Sequence, residues 1–288
     1  MKSFSLAGGR ILDPVSGRDE VADLHLVDGQ LSESAAPGAD LIDVSGKWVL
    51  PGLVDLHGRL APSGRSITGR LGELQLAAQC GITSLCVGPD TNPVLDSVAA
   101  LEQLSLLTDR VEGCRTHPIG ALTQGLAGEH LAEIATLSES GCVAFSDLNL
   151  RSQDARVLLR AMRYARNFDL TIMVQPCDPK LAADGCVHEG PLAHRLGLPG
   201  VPSCAESVAV GLWLELCRDA GTQLHFNKLS TARGVDLIRA AKSEGLPVTA
   251  DTSITHTRFD SNALAGFNNR FNVWPPLRDA EDREALCK

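Results

Sequence analysis

The sequence predicts an α/β protein: a TIM-type (β/α)8 barrel that follows a small β-domain. Two observations lead to this prediction. From Pro51 onward, apolar runs of strand length alternate with helical stretches about seven times, which is typical of a parallel sheet closed into a barrel. Before Pro51, short β-type runs are separated by turns rich in Gly and Asp. We therefore place the β-domain at 1–50 and the barrel at 51–288.

Each barrel element is predicted from local pattern. The predicted strands are Leu53–Leu56, Ile82–Val87, Thr116–Ala121, Cys142–Ser146, Leu170–Val174, Gln223–Phe226 and Pro247–Ala250. The predicted helices are Arg70–Gln79, Ser97–Thr108, Gly128–Glu139, Ser152–Asn167, Cys204–Ala220 and Ala232–Glu244. Glycines in C-cap positions follow four of them: Gly81, Gly141, Gly221 and Gly245. Ser203 and Glu206 have the spacing of a capping box, and Asp28-Gly29 predicts a hairpin turn in the β-domain.

Seven strands are one fewer than a full barrel requires. A seven-stranded sheet has two unpaired edges, which natural proteins avoid. We therefore expect the eighth strand to be absent from this chain, and either a longer parent chain or another chain to complete the sheet.

Composition excludes several classes of function. Hydrophobic residues make up 44% and charged residues 21% of the 288 residues, which is typical of a globular protein. The net charge of −9, without a basic stripe, argues against nucleic acid and anionic membranes as partners. No run approaches the length of a membrane span, and from the N-terminal residues we expect no export signal. The nine cysteines form no C-x-x-C pair, which indicates buried, reduced thiols in a cytoplasmic protein.

The end of the first barrel strand is the first candidate site. His57 follows the run Leu53–Leu56, and barrel enzymes place their ligands at this end of a strand. A pair of metal ligands on one strand requires His-x-His, because side chains two apart point the same way. The second position is Arg59, which has no lone pair to give to a metal.

Seven segments carry a resemblance to a known family. They are PGLVDLH (51–57), GITSLCVGPDTNPVLD (81–96), HPIGALTQGLAGEHLAEIATL (117–137), GCVAFSD (141–147), HEGPLAHRLGLPGVPSCAE (188–206), LSTARGVDLIRAAKSEGLPVTAD (229–251) and WPPLRDAEDR (274–283). Together, and in this order, they resemble the dihydroorotases of the amidohydrolase superfamily. The resemblance implies a metal-dependent-hydrolase barrel, with 1–50 as half of a β-sandwich.

The resemblance also implies where metal ligands would lie. The family pattern is His-x-His on the first strand, Asp or a modified Lys on the fourth, His on the fifth and sixth, and Asp on the eighth. In this sequence the corresponding positions are His57, Arg59, Asp147, Gln175 and Lys228, and the eighth-strand position lies beyond Lys288. Three ligands are thus replaced, two of them by cationic residues that repel a divalent ion. We therefore predict no metal and no cofactor.

The remaining pocket positions are altered as well. Ala61 occupies the position of the family's substrate-binding Arg, and Asp90 occupies the position of a substrate-binding Asn. Alanine gives no bidentate recognition of a carboxylate, and Asp90 repels an acidic substrate. We predict a vestigial pocket, in which Asp147 forms an ion pair with Arg59 or Lys228.

The resemblance is greatest to the inactive dihydroorotase-like subunits that accompany bacterial aspartate carbamoyltransferase. It implies a non-catalytic chain that scaffolds the transferase catalytic chains in a hetero-oligomer for pyrimidine biosynthesis. The alternative is a cyclic amide hydrolase with one metal held by His57, Asp147 and the eighth-strand Asp. A third interpretation is a binding protein that holds a small anion through Arg59 and Lys228.

Overall fold

The computed structural model of the protein describes residues 3–60, 67–108, 113–148 and 154–288, with only the backbone for 67–71. The chain divides into two compact units, Met1–Leu53 and Val54–Lys288. Ala61, a predicted pocket position, lies outside the described residues.

The first unit is a five-stranded sheet. Its strands are β1 (Phe4–Asp13), β2 (Arg18–Val27), β3 (Gln30–Ser32), β4 (Asp40–Asp43) and β5 (Trp48–Val49). The order is β3-β2-β1-β4, and β5 also pairs with β1. The predicted hairpin turn is confirmed: Asp28 and Gly29 link β2 to β3, with φ angles of 51° and 82°. Gly and Asp tolerate this left-handed conformation better than most residues.

The second unit is built on a parallel sheet of seven strands. The strands are β6 (Leu53–Gly58), β7 (Ile82–Val87), β8 (Arg115–Ala121), β9 (Ala144–Ser146), β10 (Ile172–Val174), β13 (Leu224–Phe226) and β14 (Val248–Ala250). Each of the seven predicted strands is thus confirmed. Their order in the sheet is β14-β13-β10-β9-β8-β7-β6, so each strand lies beside the strand that precedes or follows it in the barrel sequence. A separate pair consists of β11 (Val187–His188) and β12 (Gly200–Val201).

Helices connect these strands. They are α1 (Ile67–Gln79), α2 (Val98–Thr108), α3 (Ile134–Glu139), α4 (Ala155–Arg166), α5 (Pro179–Ala182), α6 (Pro191–Leu196), α7 (Cys204–Ala220), α8 (Ala232–Ser243), α9 (Ile254–Arg258) and α10 (Ala280–Leu286). The four predicted C-cap glycines all have positive φ, between 66° and 107°. None of the helices in the described ranges is long and apolar enough to cross a membrane.

The prediction for α3 was wrong at its N-terminus. Residues 124–126 form a 3-10 turn, and Thr123 pairs with Leu131 in an isolated bridge. The Thr123 hydroxyl also accepts a hydrogen bond from the amide of Gly128 at 2.9 Å. These contacts hold the segment in a loop, so the helix begins only at Ile134.

The predicted capping box at Ser203 and Glu206 is also wrong. Ser203 precedes α7, but its side chain makes no capping hydrogen bond. The Glu206 carboxylate, which is only 1% exposed, instead accepts hydrogen bonds from the backbone amides and hydroxyls of Ser230 and Thr231 at 2.6–3.0 Å. Arg278 then donates to the Ser230 hydroxyl at 3.1 Å. This buried network fastens the loop after β13 to α7.

The core lies between the sheet and its helices. Phe145 of β9 and Phe226 of β13 are completely buried there. Gly120 on β8 leaves room for Phe145, since a β-carbon at position 120 would lie 2.6 Å from the phenyl ring. All nine cysteines are free thiols, as predicted, but only four of them are buried. Cys177 and Cys186 are half-buried, and Cys80, Cys204 and Cys287 are exposed.

Candidate functional site at the ends of the strands

The end of β6 holds His57 and Arg59 beside β7. Gly58 allows this close approach, because a β-carbon there would lie 2.3 Å from Leu85. The carbonyl of Gly58 accepts a hydrogen bond from the amide of Gly88 at 3.1 Å. The His57 side chain is buried, at 7% exposure, so the strand delivers an imidazole into the interior of the unit.

Arg59 forms an ion pair with Asp90. Its Nε donates to Asp90 Oδ2 at 2.8 Å, and its Nη2 donates to the same oxygen. The predicted ion pair of Asp147 with Arg59 or Lys228 is therefore wrong, because within the described residues Asp147 pairs with neither. Asp90 lies in the loop directly after β7, the sequence neighbour of β6, whereas Asp147 follows β9. Arg59 therefore pairs with Asp90, because β7 is the strand next to β6.

The end of β13 brings Asn227 and Lys228 to the same region. Asn227 Nδ2 donates to His57 Nδ1 at 3.1 Å, while Asn227 Oδ1 is buried without a hydrogen-bond partner. Lys228 is half-buried and has a φ of 55°, which is uncommon for a residue with a side chain. Its backbone amide donates to Asp251 Oδ1 at 2.6 Å, and this contact holds the unusual conformation.

Asp251 is a site residue that the sequence analysis missed. It follows β14 directly, and its Oδ2 lies 3.1 Å from His225 Nε2. Burial opposes its ionisation, but the hydrogen bonds from His225 and from the Lys228 amide outweigh that effect and hold its pKa below the usual range. The signal was present in the sequence, because Asp251 directly follows the predicted strand Pro247–Ala250, and barrel enzymes place functional residues at this end of a strand.

Asp147 and Gln175 form a second group. Asp147 Oδ1 accepts hydrogen bonds from the amides of Leu122 and Thr123, each at 2.8 Å, and Oδ2 accepts one from the Thr123 hydroxyl. Burial raises its pKa despite these contacts. Asp147 and Gln175 line a cavity of about 10 Å3, which is room for one water molecule. Gln175 Nε2 is buried there without a protein partner.

The pKa of His57 is lowered to about 4, first by burial and then by the nearby charge of Lys228. The imidazole is therefore neutral at pH 7. Because an unfolded histidine titrates near pH 6.5, the unfolded chain takes up this proton first as the pH falls. We therefore expect His57 to lower the free energy of unfolding progressively as the pH falls from about 6.5 to about 4, by about 3 kcal/mol in total. Above pH 6.5 it should have no effect.

Urea unfolding of the wild type and of His57→Gln across pH 4–8 measures this cost. The difference in unfolding free energy between the two should change with pH only inside the window. His194→Gln, at an exposed position, is the matched control and should follow the wild type. Parallel curves for His57→Gln and the wild type would contradict the buried neutral state.

Comparison with known proteins places the chain in a family. A family model described as dihydro-orotase-like matches residues 46–233. A dihydroorotase-like protein of Pseudomonas putida is 40% identical over 99% of this chain and 68% of its own length. The chain belongs to the dihydroorotase-like family. The corresponding protein of Pseudomonas aeruginosa is 41% identical over 99% of this chain, and a dihydroorotase of Pelotomaculum thermopropionicum is 36% identical over 98%.

Solved structures confirm the fold of this dihydroorotase-like chain. The L-hydantoinase of Arthrobacter aurescens superposes with a TM-score of 0.80 over 99% of the chain and 66% of its own length, at 22% identity. A D-hydantoinase gives a TM-score of 0.78. The predicted TIM-type fold is thus confirmed, and the described residues supply seven of its parallel strands. The chain spans about two thirds of the length of these relatives.

The residues present do not fit the metal site that the dihydroorotase-like family implies. Arg59 and Lys228 carry no lone pair when charged, and the Gln175 amide is a weak substitute for imidazole. His57 Nδ1 is taken by Asn227, and both oxygens of Asp147 are hydrogen-bonded. Around His57, no three His, Cys, Asp or Glu residues of the described ranges bring ligand atoms within 4.8 Å of one another.

One such group does occur elsewhere in the described residues. It consists of His188, Asp279 and Asp282. Arg278 Nη1 lies 3.3 Å from His188 Nδ1, so the lone pair of that nitrogen is engaged and the ring proton is on Nε2. Asp282 Oδ1 accepts from the amide of Ala232 at 2.7 Å. These contacts give the group a structural role, linking β11, α8 and α10.

Proposed function

We propose that this chain is a non-catalytic dihydroorotase-like subunit. It scaffolds aspartate carbamoyltransferase catalytic chains in a cytoplasmic hetero-oligomer that serves pyrimidine biosynthesis. The observation that carries the proposal is the ion pair of Arg59 with Asp90, at positions where the family resemblance implies a metal ligand and a substrate contact. A guanidinium held there by two hydrogen bonds excludes a divalent cation and leaves a substrate carboxylate without its binding group.

Three further features support loss of hydrolysis. Lys228 adds a second cation beside His57. The Asp147 carboxylate is directed at the backbone of its own barrel rather than at a ligand. The relatives that are 40% and 41% identical carry the name dihydroorotase-like protein, whereas those at 36–39% carry the name dihydroorotase.

The second candidate is a metal-dependent cyclic amide hydrolase of the dihydroorotase or hydantoinase type. It is favoured by the relatives named dihydroorotase and by the retention of His57 and Asp147. A pocket for a small anion is less favoured by the local charges. Arg59 is already neutralised by Asp90, and Asp55 and Asp251 lie close enough to influence the charge of Lys228.

Co-expression with the aspartate carbamoyltransferase catalytic chain of the same organism tests the scaffold. We expect the two chains to elute together as a large complex, because a scaffold must bind the chains that it organises. We also expect transferase activity to fall when this chain is omitted. The catalytic chain expressed alone is the control. A separately eluting chain, with full transferase activity in its absence, would contradict the proposal.

Hydrolysis of dihydroorotate, measured with and without added zinc, tests the second candidate. We expect a rate equal to the uncatalysed background in both cases. Arg59→His with Lys228→His restores two imidazoles at the family's ligand positions and is the comparison variant. Turnover by the wild type together with stoichiometric zinc would establish the hydrolase instead.

A further inference from the structure

A cavity of about 190 Å3 lies in the second unit, and none of the residues of the candidate site lines it. One wall comes from the segment that contains β11 and α6, and the other comes from residues 264–272. The scaffold proposal gives this cavity no role. Because an apolar cavity of about 150 Å3 is large enough to hold benzene, this one has room for a ring compound of about six to nine non-hydrogen atoms.

The walls of the cavity are apolar. Val187 and Leu264 are each 5% exposed, and Leu198 packs against the small apolar cluster to which they belong. Leu196 and Phe267 also line the cavity. Among the described residues, no charged side chain lines it, so a charged ligand would lose its hydration without gaining an ionic partner. The cavity therefore favours neutral, largely apolar molecules.

Backbone hydrogen bonds fix the first wall. The amide of Cys186, which lines the cavity, donates to the Pro199 carbonyl at 3.0 Å and so holds the start of β11 against the loop after α6. Gly197 ends α6 in the left-handed conformation, with a φ of 66°. The amide of Leu198 then donates to the Ala193 carbonyl at 3.0 Å, so the loop is held to its own helix.

The second wall consists of two 3-10 turns. They span Ser261–Leu264 and Asn269–Phe271. Each turn is capped at its start by a side-chain oxygen, from Asp260 in the first turn and from Asn268 in the second. Both walls are thus held by hydrogen bonds of their own segments, which is the arrangement expected of a pocket that is formed before its ligand binds.

Phe267 lines the cavity although its side chain is 64% exposed. Its φ of 59° is uncommon for an aromatic residue, and it follows Gly266, whose φ is 74°. The conformation is held by a hydrogen bond from the Phe267 amide to the Leu264 carbonyl at 3.0 Å. The phenyl ring is thereby kept at the edge of the cavity and out of the core, where a bound aromatic ring could pack against it.

Three exposed asparagines supply the polar part of the lining: Asn268, Asn269 and Asn272. The side-chain oxygen of Asn268 is used to cap its own turn, where it accepts from the Arg270 amide at 3.3 Å. Within the described residues, the side-chain amides of Asn269 and Asn272 make no hydrogen bond. Each of these two amides offers both donors and an acceptor, so a ligand with one neutral polar group can bond to either.

We propose that this cavity binds small neutral aromatic molecules that carry one hydrogen-bonding group. The ring lies among the aliphatic side chains of the two walls and packs against Phe267. Its N–H or hydroxyl group bonds to the side-chain amide of Asn269 or Asn272. Since none of the residues of the candidate site takes part, this binding activity is independent of the scaffold role, and each can fail without the other.

Methyl NMR of the intact chain, with 13C in the methyl groups of Val and Leu, tests the proposal with indole as the probe. The ring current of a bound aromatic molecule shifts only the methyl signals close to it. We expect saturable shifts at Leu198 and Leu264, with a Kd of about 1 mM or tighter. Leu106, which is exposed on α2, should show none. The variants Leu198→Ile and Leu264→Ile assign the two signals.

A second ligand and a second variant make the result decisive. Benzoate has an aromatic ring but carries a charge, so it should bind at least about tenfold more weakly than indole. Leu196→Trp fills the cavity and should abolish the indole shift at Leu264, whereas Leu106→Trp should leave it unchanged.

Three results would overturn the proposal. They are the absence of saturable indole shifts at Leu198 and Leu264, equal affinity for benzoate and indole, and unchanged indole binding in Leu196→Trp. The first would indicate that a side chain of a partner protein, and not a small molecule, is the occupant of the cavity. Because the first two are measured on the wild type, they decide the question even where Leu196→Trp fails to fold.

Discussion

Replacing Glu206 with alanine is expected to lower the free energy of unfolding by about 3–5 kcal/mol. The replacement leaves buried hydrogen-bond donors without an acceptor and the charge of Arg278 without a buried partner. The donors are the amides and hydroxyls of Ser230 and Thr231, all at 2.6–3.0 Å from the carboxylate. Arg278, only 3% exposed, would lose its nearest buried counter-charge. Urea unfolding at pH 7 measures the loss.

Glu215→Ala provides a matched control on the same helix. Glu215 is exposed and pairs with Arg218, so its removal should cost at most about 0.5 kcal/mol. The loss of unfolding free energy for Glu206→Gln should lie between those of the two alanine variants. The glutamine oxygen can still accept hydrogen bonds, but its amide nitrogen would face an N–H or hydroxyl donor. A loss for Glu206→Ala no larger than that for Glu215→Ala would show that the buried network contributes nothing to stability.

Replacing Asp147 with alanine is expected to cost about 3 kcal/mol, because three buried donors lose their acceptor. Asp147→Asn should cost clearly less, since its Oδ1 can still accept from the amides of Leu122 and Thr123. Chemical denaturation of the two variants separates these outcomes. Equal losses would mean that the carboxylate charge, rather than its acceptor geometry, holds the segment after β8.

The strands and most helices of the barrel could be predicted because their signals are local. Apolar runs, C-cap glycines and alternation depend on a few adjacent residues, and each of the seven strands appears beside its sequence neighbour. The start of α3 could not be predicted in the same way. It depends on Thr123, which holds Gly128 in a loop while it also binds Asp147 from another strand.

The site shows the same division between local and distant information. The replacements at positions 59, 175 and 228 were visible in the sequence, because the resemblance identified the positions. The partner of each charge was not visible. Arg59 pairs with Asp90 and not with Asp147, and Asp251 joins Lys228 and His225, and these choices depend on which strands are adjacent. Residue type led to the prediction that no metal binds here, whereas the contacts that these side chains make depend on their three-dimensional neighbours.

The position of β6 at the border of the sheet has a consequence for its motions. Within the described residues, β6 has a strand partner on one side only, and Val54 and Leu56 on it are 60% and 39% exposed. Border strands exchange their amide hydrogens through small local openings, whereas central strands such as β9 and β10 exchange near the cost of global unfolding. His57 lies on this border strand, and Arg59 follows its last residue, Gly58. Any molecule that binds these two residues would therefore slow the exchange of β6 before it affects the centre of the sheet.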